Sequence, residues 1–300
     1  MDSVALGAYI DSRGYSTLGF NDEGVIIESK LTVEEFKKMG DLQSVKMSCA
    51  SLLCESEDQD IFELHKRILA SKYLNIVCIS RINRLSLTQQ SEMFKVILGN
   101  SNITELSLVT DDGTALSGQA EAFVTKMINA DRIASLYLCG DISFELQRES
   151  LKLINMKNFR EFVFQPSTSY PHTDLLEAAF ELLHQKTTTP RWMQRFVLDF
   201  DEENMGVVSE YMQHKHHKRF VRETSKIDLC IVPHRYDPEK MVEVRTCLLD
   251  DNDPFTVELL LSSGDASVLE EFAAYREFRA QHIRALGDMV DDLHSDSSEE

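Results

Sequence analysis

Asp199 and Asp201, two carboxylates one residue apart at the end of the apolar run Phe196-Val197-Leu198, are the pair in this chain best placed for hydrolytic chemistry. Paired carboxylates can divide the work of nucleophile and proton carrier when an ordered element holds them. The same spacing suits an acidic strand-to-helix turn, because the positive end of a helix dipole favours carboxylates there. That reading is preferred. A second cluster is His214-Lys215-His216-His217-Lys218-Arg219, extended by Arg222. On a helix, His214 and His217 would share a side, but no nearby Cys or carboxylate pair supplies the remaining zinc ligands at a familiar spacing. The cluster reads first as a solvated helix end, next as a docking patch for an acidic partner, and last as a metal site.

The aspartate pair resembles the start of the Asp-x-Asp phosphatase motif. The resemblance implies that one carboxylate attacks phosphorus, the second handles a proton and both help to hold magnesium. The motif expects Thr or Val two positions beyond the second Asp, and this chain has Glu203. Val109-Thr110-Asp111-Asp112-Gly113-Thr114 imitates the motif but puts Thr110 at the nucleophile position, so Asp112-Gly113 reads as a turn. The chain has no Gly-x-x-x-x-Gly-Lys-Ser/Thr loop, Gly-x-Gly-x-x-Gly, Gly-x-Ser-x-Gly elbow or His-Glu-x-x-His helix. The expectation is a non-enzymatic protein with no catalytic residue, no metal and no cofactor. A phosphatase-like hydrolase using Asp199 and Asp201 is the alternative.

Any such residues would be positioned by a phrase, apolar-x-x-apolar-x-apolar, that recurs along the chain. It reads Leu42-x-x-Val45-x-Met47, Leu74-x-x-Val77-x-Ile79, Ile103-x-x-Leu106-x-Leu108, Ile133-x-x-Leu136-x-Leu138, Phe159-x-x-Phe162-x-Phe164 and Met193-x-x-Phe196-x-Leu198. The middle positions are 32, 29, 30, 26 and 34 residues apart, an irregular repeat of strand and helix. Three positions past each phrase stand Ala50, Ile82, Asp111, Asp141, Ser167 and Asp201; the last four of these can bond a turning backbone. Between the phrases, Ala120, Phe123, Val124, Met127 and Ile128 form one helical stripe. Leu175, Leu176, Ala179, Phe180 and Leu183 repeat it after Thr173, a candidate N-cap, and Ile61, His65, Ile68 and Leu69 make a shorter version.

The ends read differently. Residues 1–41 suggest a hairpin of Tyr15–Phe20 with Val25–Glu28, followed by a Thr32-x-x-Glu35 capping box. Residues 42–264 hold the irregular array, with strands at 227–231 and 255–261 and a helix start at Asp237-Pro238. A helix over 265–294 caps the array, and 295–300 form an acidic tail too polar to pack, with Ser297 at a spacing that acidophilic kinases accept. Trp192 and Tyr170 read as packing residues.

Composition limits the partners. Fifty acidic against 31 basic residues give a net charge of -19, which disfavours general nucleic-acid binding. No apolar run approaches a membrane span, and the start lacks a secretory signal, so the chain reads as intracellular, with the cytoplasm preferred and the nucleus open. The six scattered cysteines suit reduced, buried thiols.

Ile103-Thr104-Glu105-Leu106-Ser107-Leu108, Ile133-Ala134-Ser135-Leu136-Tyr137-Leu138 and Phe159-Arg160-Glu161-Phe162-Val163-Phe164 resemble the divergent leucine-rich-repeat arrays that form the substrate-binding portion of F-box-associated proteins. The resemblance spans roughly residues 42–200 and implies an adaptor that binds a target protein for a ubiquitin ligase. The helical ligase-binding module expected ahead of such an array is not visible in residues 1–40. The fold expectation is α/β: a leucine-rich-repeat-like solenoid, with a curved, mainly parallel sheet and outer helices. Residues between the apolar positions would meet a partner protein, namely Thr104, Glu105, Ser107, Ser135, Tyr137, Arg160, Glu161 and Val163.

Overall fold

A computed structural model describes residues 5–10, 15–20, 26–31, 47–54, 59–111, 114–166, 172–187, 193–200, 220–222, 227–237, 240–247 and 255–262. Within them the chain is α/β. Strands β1 (Ala5–Ile10), β2 (Tyr15–Phe20) and β3 (Ile26–Leu31) precede an alternation of strands and helices. That alternation runs β4 (Cys49–Leu53), α1 (Gln59–Leu69), β5 (Ile76–Ser80), α2 (Leu87–Gly99), β6 (Glu105–Val109) and α3 (Gly118–Asn129). It continues with β7 (Ser135–Cys139), α4 (Phe144–Ser150), β8 (Glu161–Gln165), α5 (Thr173–Gln185) and β9 (Gln194–Phe200). Strands β10 (Phe220–Arg222), β11 (Ile227–Pro233), β12 (Met241–Cys247) and β13 (Phe255–Ser262) follow.

All strands join one 13-stranded sheet, in the order β10-β11-β12-β13-β9-β8-β7-β6-β5-β4-β1-β2-β3. The seven central strands, β1 and β4 to β9, are parallel. Antiparallel pairs flank them on both sides. Strand order follows chain order from β4 to β9, and right-handed crossovers then put the helices between these strands on the same side of the sheet. Neighbouring helices touch accordingly. Phe94 of α2 stacks on Phe123 of α3 with ring centroids 4.2 Å apart.

Five of the six phrases lie where expected. Their middle and last residues are in register across the sheet: Val77, Leu106, Leu136, Phe162 and Phe196 form one row, and Ile79, Leu108, Leu138, Phe164 and Leu198 the next. All ten are buried against the helices. The first phrase needs correction. Strand β4 pairs Ala50 with Val77 and Leu52 with Ile79, so the working phrase is Met47-x-x-Ala50-x-Leu52 and not Leu42-x-x-Val45-x-Met47. A small Ala at the middle position hid it, and Ala50 belongs to the strand and not to a turn.

Two further expectations change. The helix expected after Asp237 gives way to a strand, because the chain enters β12 at Met241 and pairs antiparallel with β11. From β13 onward the sheet is antiparallel. Thr173 is the first residue of α5, and the N-cap position is His172, in a left-handed conformation. The expectations for residues 1–4, Thr32–Glu35, Ser167, Tyr170, Trp192, Asp201, Glu203, His214–Arg219, 265–294 and Ser297 lie outside the described residues.

Adjacent units are fastened at both helix ends. Ser86, Ser117 and Ser143 cap α2, α3 and α4, each accepting a backbone N–H three residues on. Four residues past each cap stands Gln90, Glu121 or Gln147. Ser117 Oγ donates to Gln90 Oε1 at 2.5 Å, and the Ser143 amide donates to Glu121 Oε1 at 2.6 Å, so the caps of α3 and α4 reach the preceding unit. At the other end, Asn100 Nδ2 donates to the Leu69 and Ser71 carbonyls at 2.9 and 2.8 Å. Arg132 Nη1 does the same to Leu98 O at 2.6 Å. These side chains satisfy carbonyls that a helix C-terminus leaves open.

Candidate functional site

The alternate strand residues emerge on the side of the sheet opposite the described helices, since successive side chains point to opposite faces. Three rows cross it. The first is Cys49, Ile76, Glu105, Ser135, Glu161 and Arg195; the second Ser51, Cys78, Ser107, Tyr137, Val163 and Val197. The third begins with Leu53, Ser80, Val109, Cys139 and Gln165.

Exposure divides this face. Glu105, Ser135, Glu161 and Val163 are buried, as are Val197, Thr256 and Glu258. Ile76, Cys78, Ser80, Ser107, Val109, Tyr137, Cys139 and Gln165 are partly open, which makes a window over β5 to β8. Of the eight residues expected to meet a partner, Ser107 and Tyr137 lie in this window. Thr104 and Arg160, just ahead of β6 and β8, are half-buried and exposed respectively. The other four lack a surface to offer. Strict alternation predicted which face they share but carried no signal for how deeply that face is covered.

An ionic network occupies the buried part. Arg195 donates through Nη1 to Glu161 Oε1 and through Nη2 to Glu258 Oε1, joining β8, β9 and β13. Arg160 Nη1 lies 3.8 Å from Glu105 Oε1. At the far end of β9, Thr256 Oγ1 donates to Asp199 Oδ1 at 2.8 Å. Burial pushes the Asp199 carboxyl up to about 6, with Glu258 adding to the effect and the Thr256 bond and Arg195 opposing it. Sequence reasoning missed Arg195 and Glu258, whose partnership spans two distant strands.

Asp199 therefore sits in a strand ladder, bonded to a neighbouring strand. The parallel strands never reverse their order, so the sheet has no switch-point crevice of the kind that open α/β sheets use for ligands. Asp111, the acid of the second phosphatase-like fragment, binds Arg84 Nε at 2.5 Å and Arg81 Nε at 3.4 Å, and its amide donates to Asn83 Oδ1 at 3.1 Å. Thr110 Oγ1 donates to the Thr114 and Cys139 carbonyls at 3.0 and 3.2 Å. Both are tied into turns.

Among the described residues no His, Cys, Asp and Glu cluster could hold a metal ion, and no helix is long and apolar enough to cross a membrane. Cys49, Cys54, Cys78 and Cys139 are thiols outside any disulfide. Burial, reinforced by Cys78, pushes the Cys54 thiol up to about 12, which makes it a poor nucleophile. No family model, no characterised protein and no solved structure matches this chain.

Proposed function

We propose that this chain is a non-enzymatic protein-interaction scaffold, a leucine-rich-repeat-like solenoid that binds a partner protein on the face of its parallel sheet opposite the described helices. The observation that carries the reading is the window over β5 to β8. Ser107 and Tyr137 stand there in register, between half-open Cys78, Ser80, Cys139 and Gln165, on a rigid parallel framework. Adjacent strands lie about 4.8 Å apart, so the rows form a continuous surface suited to an extended protein segment.

Affinity purification of the full chain from its native cell tests this, with Ser107→Arg as the matched control. A partner recovered by the wild-type chain and lost from the variant supports the scaffold. No reproducible partner, or equal recovery by both, overturns it. Service as a substrate adaptor of a ubiquitin ligase would further require the ligase linker protein among the recovered chains.

The competing reading, a phosphatase-like hydrolase, keeps one supporting observation: a carboxyl at Asp199 pushed up to about 6, near the range useful for proton transfer. Hydrolysis of a generic phosphate ester, abolished in Asp199→Asn, would reverse the order of the two.

A further inference from the structure

Strand β3 (Ile26–Leu31) ends the sheet on one side and β10 (Phe220–Arg222) ends it on the other. Among the described residues β3 pairs with β2 and β10 with β11, each along one side. An edge strand offers the backbone N–H and C=O groups of its second side to any strand that arrives, so edges are usually guarded. Shortness guards β10, which has three residues. β3 has six, the usual length of a fully paired strand, and its sequence Ile26-Ile27-Glu28-Ser29-Lys30-Leu31 holds no proline.

The register ties β3 to the rest of the sheet. Lys30 pairs with Ser16, Ser16 with Tyr9 and Tyr9 with Ser51, which places Lys30 in the row that continues through Cys78, Ser107 and Tyr137. Glu28 leads in the same way through Leu18 and Gly7 to Cys49. Both charged residues therefore belong to the window face. Ser29 leads through Thr17 and Ala8 to Ala50, and Leu31 through Tyr15 and Ile10 to Leu52, so these two belong to the face under the helices. Ile27 joins them by alternation.

A lone Lys on an edge strand deters pairing. In β3 the charges are balanced about a centre: outward from Ser29 the chain meets Glu28 on one side and Lys30 on the other, and then Ile27 and Leu31. Antiparallel pairing with the β3 of a second copy, Ser29 opposite Ser29, sets Glu28 opposite Lys30 twice and Ile27 opposite Leu31 twice. Opposite charges and apolar residues that face each other across a ladder are the pairs that stabilise it. The neighbouring registers do worse. A shift of one residue puts Ile27 opposite Lys30 or Glu28 opposite Leu31, and a shift of two puts Glu28 opposite Glu28 or Lys30 opposite Lys30.

We propose that two copies of this chain form a two-fold dimer through β3, the edge strands pairing antiparallel about Ser29 to join both sheets into one. Residues paired across a ladder share a face, so the axis stands perpendicular to the sheet and the windows of both copies open to the same side. Two windows on one side hold a partner with two binding segments more tightly than one window does. Five residue pairs make a small interface, so the dimer is reversible and depends on concentration. It forms whether or not the window is filled.

The test is sedimentation velocity of the full chain over a concentration series. The expected result is a monomer–dimer equilibrium with a Kd of about 100 µM or tighter, weakened about tenfold or more in Glu28→Lys and in Lys30→Glu, where like charges face each other. Mixing these two variants in equal amounts should bring dimers back, since each supplies the charge that the other lacks. A wild-type chain that stays monomeric well above this concentration, a dimer that neither variant weakens, or a mixture no more dimeric than its parts overturns the proposal. Should the charge variants not fold, mild oxidation of Ser29→Cys and Ile26→Cys reads the register instead. Directly opposed residues lie about 4.5–5.5 Å apart between Cα atoms, within disulfide range, whereas the two copies of position 26 would be about 20 Å apart. A covalent dimer given by Ser29→Cys and not by Ile26→Cys supports the dimer; one given by both, or by neither, overturns it.

Discussion

Tyr137 donates its phenol hydrogen to Gln165 Oε1 across 2.6 Å, linking β7 to β8 on the face opposite the described helices. The bond holds an aromatic ring in one orientation at the centre of the open window, and a ring held in place binds at lower entropic cost than a free one. Tyr137→Ala should weaken partner binding by about 2 kcal/mol or more, as truncation of an aromatic anchor does. Tyr137→Phe keeps the ring but frees Gln165 and should lose less than half of that. Titration calorimetry with the recovered partner compares the two.

Arg195 is the counter-ion for two buried carboxylates, Glu161 and Glu258. Arg195→Met would remove this counter-ion from both and should cost about 3–5 kcal/mol in denaturant unfolding. Replacing Glu161 and Glu258 by Gln in the same chain should recover most of that loss. A single Arg195→Met variant as stable as wild type would show that the network contributes little.

Gly140 has φ +118, and a Cβ there would lie 2.1 Å from Thr110 Oγ1 and 2.9 Å from the Thr114 carbonyl oxygen. Gly140→Ala meets both a disfavoured backbone conformation and a clash, so a loss of about 2–4 kcal/mol is expected. Adding Thr110→Ala should restore only part of it, because the backbone conformation and the Thr114 carbonyl remain. Thermal unfolding of the single and double variants checks the order.

Burial pushes the His65 imidazole in α1 down to about 4 from an ordinary 6.5, and neither ring nitrogen has a hydrogen-bond partner. Between these values the unfolded chain holds the extra proton, so the stability His65 permits is complete above pH 6.5 and is lost as pH falls toward 4. Its full extent is about 3 kcal/mol. Asp199 works in the opposite sense. Its pKa is raised to about 6 from 3.8, so its contribution is present below pH 3.8 and is lost as pH rises through 6. The advantage of His65→Leu over wild type should therefore grow on acidification from pH 6.5 to 4, and that of Asp199→Asn should grow as pH rises from 3.8 to 6 and level off above it. Unfolding free energies across this range measure both slopes.

The parallel sheet was legible because the phrase residues do one job: Val77, Leu106, Leu136, Phe162 and Phe196 all fill the same layer under the helices. Strand β4 escaped because Ala50 fills that layer with a methyl group, which a search for large apolar residues passes over. The inter-unit fasteners had a readable trace in Ser86/Gln90, Ser117/Glu121 and Ser143/Gln147, each pair four residues apart, but only the folded sheet shows that Ser117 reaches back to Gln90. The antiparallel turn of the sheet at β13 left no local mark. Val257, Leu259 and Leu261 alternate as any strand would, and pairing direction is set by partners far along the chain. The depth of Glu105 and Glu161 was hidden for a related reason, since a charged residue on an alternating strand reads as solvated until its cover is known.

Cys78 and Cys139 place two thiols in the open window, while Cys49 and Cys54 are buried. The most direct measurement of the central claim is the rate of maleimide labelling at each cysteine, resolved by peptide mass spectrometry, with and without saturating partner. The scaffold account predicts that the partner slows labelling of Cys78 and Cys139 by about tenfold or more, as burial in an interface core should. Cys49 and Cys54 should stay slow in both states. Unchanged labelling of Cys78 and Cys139 in a saturated complex would place the partner elsewhere and contradict it.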